Sequence, residues 1–455
     1  MNHRIFLNYV ALGLAVINLP TGIFCFSPVM AQESPRPDQT AQIKSLPENF
    51  VNVKDFGPLV SGKTNKFPII AANTATIQAA IDTVGKQGGG TIYIPTGYYQ
   101  VAPPNLKIQS PSSIVINYNN ITLAGDGIGK TIIQSRGKWS INNKEVVRGH
   151  GILIKGTTNP ANPRKNVTIK NLELVGGTNG FTGNRSFPAN TNTGDGWDIT
   201  HKGIVLDFDK YLTNITIDSV DVHDFRGELI YGGGSGIGKV TIHNSKLRNS
   251  NASLLSIEAN ITVTKSKFGK TANAWVENAP ISPNKSYYFD TNIFRDSVAH
   301  GLVIAQGNFP ANHKVTITNN SFYNSPSGVN PFGGASNFII QKNKFVDIEN
   351  ALFTSGENRN IFFSKNYIYA KTRPAITAHI WGKLSNVTIS SNHQYSTDTL
   401  KQSNSVFYYG NLKNVIVKDN IFENCRTPQQ LAELTNEHPV FQNNQFKNNG
   451  VLQKL

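Results

Sequence analysis

Cysteine is nearly absent from this chain: among 455 residues only Cys25 and Cys425 carry a thiol. Cys25 falls in an amino-terminal stretch with a basic start (His3, Arg4), an apolar run from Ile5 to Phe26, and small residues at Val29-Met30-Ala31. That layout is expected of a cleaved secretory signal over residues 1–31, which leaves one thiol and no internal disulfide. Stability must then come from a packed core. Long apolar runs are missing elsewhere, so no segment approaches the ~20 residues of a membrane span. Helix-period patterning is missing too, apart from one short stretch. Acidic residues are scarce, at 28 Asp plus Glu against 43 Lys plus Arg. An exported chain with this excess attracts acidic glycans or anionic envelopes. Nucleic acid is the usual partner of a basic chain, but the export signal and the lack of any nucleic-acid motif argue against it. Residues 32–49 are polar and Pro-bearing, as expected of a disordered leader.

What the chain does have is a repeat. Apolar anchors recur at Ile215, Val240, Ile261, Tyr287, Val315, Phe338, Ile361, Val387, Val415 and Val440, with gaps of 21 to 28 residues. Seven residues after most anchors stands a second apolar residue, among them Val222, Leu247, Phe268, Phe294, Phe322, Phe345 and Phe422. A fixed period in this range marks a solenoid. The units alternate apolar and polar residues around β-branched positions, which suits strands. About 25 residues at ~3.3 Å each make three short strands and three turns. Stacked ~4.8 Å apart, such units give every strand a ladder partner and bury one continuous column. Five residues after the anchors stand Ser245, Ser266, Asn292, Asn320, Asn343, Asn366, Asn392 and Asn420. Asn at a sharp bend suits the left-handed backbone conformation, and its amide can bond the same position one coil away. The Asn-x-Thr triplets at Asn166, Asn214 and Asn386 fall on one strand start, so they read as part of the repeat before they read as glycosylation signals.

Residues 50–134 carry distinctive words: Val53-Lys-Asp-Phe-Gly57, Ile77-Gln-Ala-Ala-Ile81, Gly89-Gly-Thr-Ile-Tyr-Ile-Pro-Thr-Gly97 and Ile121-Thr-Leu-Ala-Gly-Asp-Gly127. The segment Thr74–Val84 has Ile77, Ala80, Ile81 and Val84 on one face, which predicts a helix capped by Asn73 or Thr74 and closing one end of the solenoid. These words resemble the amino-terminal region of the pectate-lyase-like superfamily, in the branch of rhamnogalacturonases, polygalacturonases and phage tailspikes. The resemblance implies an all-β, right-handed, single-stranded parallel β-helix, here of about twelve or thirteen coils by the period. It would hold a cap and first coils over 50–134 and continuous coils over 135–450, and would act on polysaccharide. The family's acidic loop after the first strand is replaced by Pro58-Leu-Val-Ser-Gly-Lys-Thr-Asn65, which puts any ligand of that loop in doubt.

Family enzymes place their cleft on one long sheet, which corresponds here to Gly203–Asp209, Glu228–Gly233, Ser253–Glu258, Ala274–Asn278 and Gly301–Gln306. Alternation turns Asp207, Tyr231, Ser256, Glu258, Trp275 and Glu277 outward. Glu258 and Glu277 would stand on adjacent coils offset by two residues, about 8 Å apart, with Asp207 near 10 Å from Glu258. Inverting glycosidases separate their carboxylates by ~6.5–9.5 Å. Tyr231 and Trp275 suit sugar stacking. The long loop between Leu174 and Gly203, with Trp197 and His201, can overhang the cleft, and His300 lies in a word similar to one of the polygalacturonases. The cluster Asp221-Val-His223-Asp224-Phe-Arg226-Gly-Glu228 offers His223 and Arg226 for proton abstraction beside a uronate.

Three readings follow. The first is glycoside hydrolysis of a polysaccharide, with an acidic one favoured by the charge, through two carboxylates drawn from Asp207, Glu258 and Glu277. The second is a uronate lyase or C5-epimerase, and the third a non-catalytic glycan-binding or envelope-structural solenoid. No cofactor is implied. Scattered Asp residues are the sole hint of Ca²⁺, without metal-ligand spacing. The export signal places the protein in the periplasm or outside the cell.

Overall fold

The computed structural model describes residues 49–106, 111–141, 144–182, 201–278, 285–305, 314–397, 403–431, 438–448 and 451–452. The proposed signal segment and nearly all of the leader lie outside the described residues. Within them the repeat becomes one 34-stranded, almost wholly parallel sheet system that winds as a β-helix. The anchors stack in register: Val167 opposite Ile215, then Val240, Ile261, Tyr287, Val315, Phe338, Ile361, Val387 and Val415. The last coil departs from the expected pattern. Val440 pairs with Ile416 and is exposed, so the anchor position falls on Pro439. Asn444 and Phe446, five and seven residues after Pro439, keep the repeat's spacing and stack under Asn420 and Phe422.

Each coil contributes to three sheets. The anchor sheet holds strands such as Lys239–His243 and Asn260–Thr264. A bend leads to the second sheet, with strands such as Lys246–Arg248 and Ile293–Arg295. A wider turn leads to the third, here called the cleft sheet: Ile204–Leu206, Ile230–Gly232, Leu255–Ile257, Ala274–Asn278 and His300–Ala305. Inward residues of all three meet in a single core. It includes a column of rings, Phe268, Phe294, Phe322 and Phe345, with centroids 4.6, 4.8 and 4.8 Å apart.

The bend between the first two sheets is built from two residues with separate duties. The residue in left-handed conformation precedes the ladder position: Asn244, Lys265, Thr291, Asn319, Lys342, Lys365, Ser391 and Asp419 all have positive φ. The expectation that the ladder Asn itself adopts that conformation is corrected. That Asn instead turns its amide inward and is buried. Asn343 Oδ1 accepts from the Asn320 N–H at 2.9 Å, while its Nδ2 donates to Ile317 O at 2.9 Å and Asn366 Oδ1 at 3.1 Å. The same geometry repeats through Asn292, Asn320, Asn366, Asn392 and Asn420. A second, solvent-facing ladder joins the Asn-x-Thr positions, with Asn166 donating to Asn120 at 2.8 Å and Asn386 to Asn360 at 3.1 Å.

The helix at the amino-terminal end runs Phe67–Lys86, longer than the apolar stripe alone predicts. Pro68 sits in its first turn, where a missing N–H costs nothing. Asn73 and Thr74 are therefore interior residues and not caps. Asn73 ties the helix to Val60 and Gln100, and Thr74 bonds Ile70 O and the Ala102 N–H. Among the described residues no helix is long and apolar enough to cross a membrane.

The two ladders differ in burial, and burial decides their worth. Replacing Asn343 by Ala leaves Ile317 O and the Asn320 N–H buried without partners, and should cost about 3 kcal/mol in urea unfolding. Replacing exposed Asn360, whose φ is 54°, by Gly should cost well under ~1 kcal/mol, because water replaces its partner and glycine accepts the left-handed backbone. Equal losses for the two would contradict this account of the bend.

Candidate functional site

The cleft sheet begins where each coil leaves its widest turn, and the turn before Ile204 is held on both sides. The His150 ring accepts the Lys202 N–H on Nδ1 at 3.1 Å. His201 accepts the Arg226 N–H on Nδ1 at 3.1 Å and donates from Nε2 to Gly176 O at 2.9 Å. Both rings are buried, and burial keeps both neutral: the pKa of His150 falls well below the ordinary value and that of His201 drops to about 3. Gly203 lets the next coil close in, since a Cβ there would stand 2.4 Å from Leu229 O. Clamped in this way, Lys202 reaches toward the neighbouring coil. Its ammonium pairs with the Glu228 carboxylate on the neighbouring coil and lies 4.3 Å from the centre of the Tyr231 ring. The two charged side chains are each about 9% exposed, while Tyr231 is half-buried. A cation, a carboxylate and a phenol thus share one small volume on the cleft sheet.

Sequence reasoning placed Tyr231 on this face and Glu228 at the start of the same strand, but missed Lys202 and the pairing of the two charges. The available signal was register, because Ile204 pairs with Ile230 and the residues two before each are therefore neighbours. Glu228 also reads as part of the turn cluster with His223. The chain separates that cluster. Asp221, His223 and Asp224 stay on the second sheet, Arg226 turns its backbone to His201, and Glu228 crosses to the cleft sheet.

Of the three carboxylates expected to act together, Glu258 and Glu277 belong to adjacent coils and Asp207 lies two coils before Glu258, and they face different ways. Asp207 accepts from the Gly156 N–H at 3.3 Å on the coil below, and burial raises its pKa. Glu258 is buried and faces the coil above, where its charge acts on Lys285 and Tyr287. Lys285 donates to Ser235 O at 3.0 Å and Ile237 O at 2.6 Å, anchoring that end of the strand. Glu277 is exposed but leans to the opposite end, accepting from Ser253 Oγ at 2.6 Å and Asn273 Nδ2 at 2.8 Å.

Trp275 is also corrected. It is 0% exposed, packs against Phe294 and Phe322 at 5.5 and 5.9 Å, and donates from its indole N–H to Arg295 O at 2.9 Å. The core has room for a large ring beside the Phe column, and this demand overrides strict alternation. His201, fully buried, supports the backbone and does not meet a ligand. His300 is half-buried at the start of its strand, paired with Ala274. Trp197 lies outside the described residues.

The second sheet carries its own charged group. His223 donates from Nδ1 to Asp224 Oδ2 at 2.8 Å and from Nε2 to Glu173 Oε1 at 3.0 Å. Burial alone would lower its pKa, but the two carboxylates raise it to about 9. The imidazolium in turn holds Glu173 below the ordinary carboxylate range, and it lowers Asp224 against that residue's own burial. Asp221 beside it takes the Arg248 guanidinium at 3.2 Å. A cleft of about 500 Å³ opens here, lined by Tyr98, Gln134, Lys138 and His223 among others. With both nitrogens engaged as donors, His223 is a poor base and a good rivet. Among the described residues no group of three His, Cys, Asp or Glu side chains is placed to hold a metal.

Known proteins share this architecture. The family described as right handed beta helix region matches residues 195–345, and that described as rhamnogalacturonase A/epimerase, pectate lyase-like, matches residues 50–194. Alginate lyase 7 of Azotobacter vinelandii is 36% identical over 97 residues, which are 21% of this chain and 10% of that protein. Mannuronan C5-epimerase AlgE1 of the same organism is 29% identical over 178 residues, 39% of this chain and 10% of the epimerase. The chain therefore spans about a tenth of the length of these curated relatives. Among solved structures, the A-module of the A. vinelandii mannuronan C-5 epimerase AlgE6 superposes with a TM-score of 0.56 at 17% identity, over 89% of this chain and 99% of that module. The family 28 exopolygalacturonase of Yersinia enterocolitica gives 0.52 at 13% identity, over 90% and 79%. These likenesses show the fold.

The raised His223 pKa sets a direction for stability. The folded state holds this proton more tightly than the unfolded chain, so its contribution is full below the ordinary histidine pKa and is lost as pH rises through about 9. The melting temperature should fall over that interval in the wild type and fall less in His223→Gln. Parallel curves for the two proteins would contradict the assignment.

Proposed function

This chain is a right-handed parallel β-helix of the pectate-lyase-like superfamily, and on that scaffold we propose an exported polysaccharide-active enzyme that moves the C5 proton of a uronic-acid residue. The Lys202–Glu228–Tyr231 group carries the reading. The C5–H of a uronate is a weak acid, because the adjoining carboxylate resists a second negative charge. A fixed cation beside that carboxylate removes much of the penalty, most effectively where water is largely excluded. Lys202 is that cation, and Glu228 keeps it in place. Tyr231, its ring against the ammonium, is the group that takes the proton as phenolate or returns it as phenol.

The electron pair left at C5 has two outlets. It forms the C4–C5 double bond while the C4–O glycosidic bond breaks and the departing oxygen takes a proton, which is elimination. Alternatively it accepts a proton on the opposite face of the ring, which is epimerisation. The names of the curated relatives, an alginate lyase and mannuronan C5-epimerases, support this class, and the chain's net charge of +15 suits an acidic polymer. One observation favours hydrolysis as the second reading: Asp207 has the raised pKa that a general acid needs. Against it stands the divergence of Glu258 and Glu277.

Tyr231→Phe tests the reading with little risk to folding, since it removes one oxygen from a half-buried ring. On sodium alginate and sodium polygalacturonate, turnover should fall at least ~100-fold with the melting temperature unchanged. The expected wild-type products are unsaturated uronates, seen by their ultraviolet chromophore, or inverted uronates, seen by proton NMR. New reducing ends without either product, or full activity in Tyr231→Phe, would overturn it.

A further inference from the structure

Farther along the same cleft sheet, outward positions that hold carboxylates and Tyr231 in the early coils are occupied by rings. Phe353, His379 and Phe407 pair in register on three successive coils, with centroids 5.0 and 5.8 Å apart. Two residues on, Trp381 and Tyr409 form a second row, 6.4 Å apart and 47% and 37% exposed. The inward neighbours Ala378, Ile380 and Val406 are buried, so the rings are outward by alternation and not displaced from the core.

The exposure is built into the backbone. Each ring of the second row is followed by a glycine at positive φ, Gly382 (111°) after Trp381 and Gly410 (112°) after Tyr409, stacked above Gly356 (81°). A Cβ on Gly382 would stand 2.2 Å from Gly356 O, and one on Gly410 2.3 Å from Gly382 O. This column therefore admits no side chain that would cover the rings. Beyond it lies a groove of about 320 Å³ whose charged lining is Arg359, Lys383 and Lys413 against the single carboxylate Glu357. Lys383 pairs with Glu357 at 3.2 Å, and both are well exposed.

We propose that this strip is a second glycan-binding site, in which sugar rings of an acidic polysaccharide stack on Trp381 and Tyr409 while their carboxylates reach the Lys383, Lys413 and Arg359 row. Flat, rigid rings with polar edges suit pyranose faces, and the row of cations beside them selects a polymer with regular negative charge. The geometry repeats once per coil at ~4.8 Å, so the polymer would lie along the solenoid axis. Phe353 stands five coils, about 24 Å, from Tyr231 on one sheet, so a single chain can occupy both places. The choice of a uronate polymer rests on the reading above as well as on these charges. The strip itself requires only an acidic glycan.

Affinity electrophoresis of the full chain in gels containing sodium alginate or sodium polygalacturonate tests the strip, with neutral dextran as control. The wild type should be retarded by at least one acidic polymer and not by dextran. Trp381→Ala with Tyr409→Ala should weaken that retention about tenfold. Lys383→Gln with Lys413→Gln should weaken it and flatten its dependence on salt. All four side chains are exposed, so unchanged melting temperatures are the folding control. Turnover of a short uronate oligomer should survive in both double variants, whereas Tyr231→Phe should lose turnover yet keep the polymer retention. Loss of retention in the strip variants from a protein without any turnover would sink the catalytic reading and leave the strip standing. Wild-type retention in both double variants, or equal retention by dextran, would overturn the strip.

Discussion

Every feature of this molecule depends on one constraint: each coil must place its backbone hydrogen bonds against the next at a common register. A single coil buries almost nothing, so the free energy comes from stacking, and stacking tolerates only residues that repeat. The buried Asn ladder is the strictest expression of this demand. An amide pointing into the core is tolerable because the coils above and below supply its partners, as at Asn343. The Phe268–Phe345 column does the same for apolar volume. Chemistry is then confined to outward positions and to turns, where the repeat leaves residues free to vary.

That division explains what was legible in the sequence. The strand columns and the parallel coil were visible because apolar residues recur with the coil, and the amino-terminal words marked the superfamily. Errors arose where one position serves two needs. Trp275 breaks alternation because the core beside Phe294 and Phe322 accepts an indole. Val440 was displaced by one because Pro439 hides the apolar anchor, though Asn444 and Phe446 kept the spacing. The helix extends back to Phe67 because Pro68 is harmless in a first turn. Along the cleft sheet the coil assignments held, yet spacing says nothing of where a flexible carboxylate leans. Glu258 and Glu277 share adjacent coils and reach for opposite ends of the strand. The pairing of Lys202 with Glu228 went unseen for the converse reason: it spans two turns and appears only once the register is known.

The electrostatics of the two outer faces differ in kind. On the second sheet, His223 is locked between Glu173 and Asp224, so its charge is spent on holding coils together. On the cleft sheet, the Lys202–Glu228 pair is held by neutral, buried imidazoles behind it and meets a half-buried phenol in front. A structural pair needs no phenol. The same sheet then changes from charge to rings along its length, from Tyr231 to Trp381 and Tyr409, as a surface that grips a long polymer at one end and reacts with it at the other would do.

The most direct test of that account is hydrogen exchange of the wild-type chain with and without a saturating uronate oligomer long enough to span eight coils. Slowed exchange in the cleft-sheet segments 202–206, 228–232, 376–383 and 404–413, with the second-sheet strands around Glu173 and His223 unchanged, is the expected result. Slowing confined to the second sheet, or none anywhere while the oligomer is turned over, would contradict it.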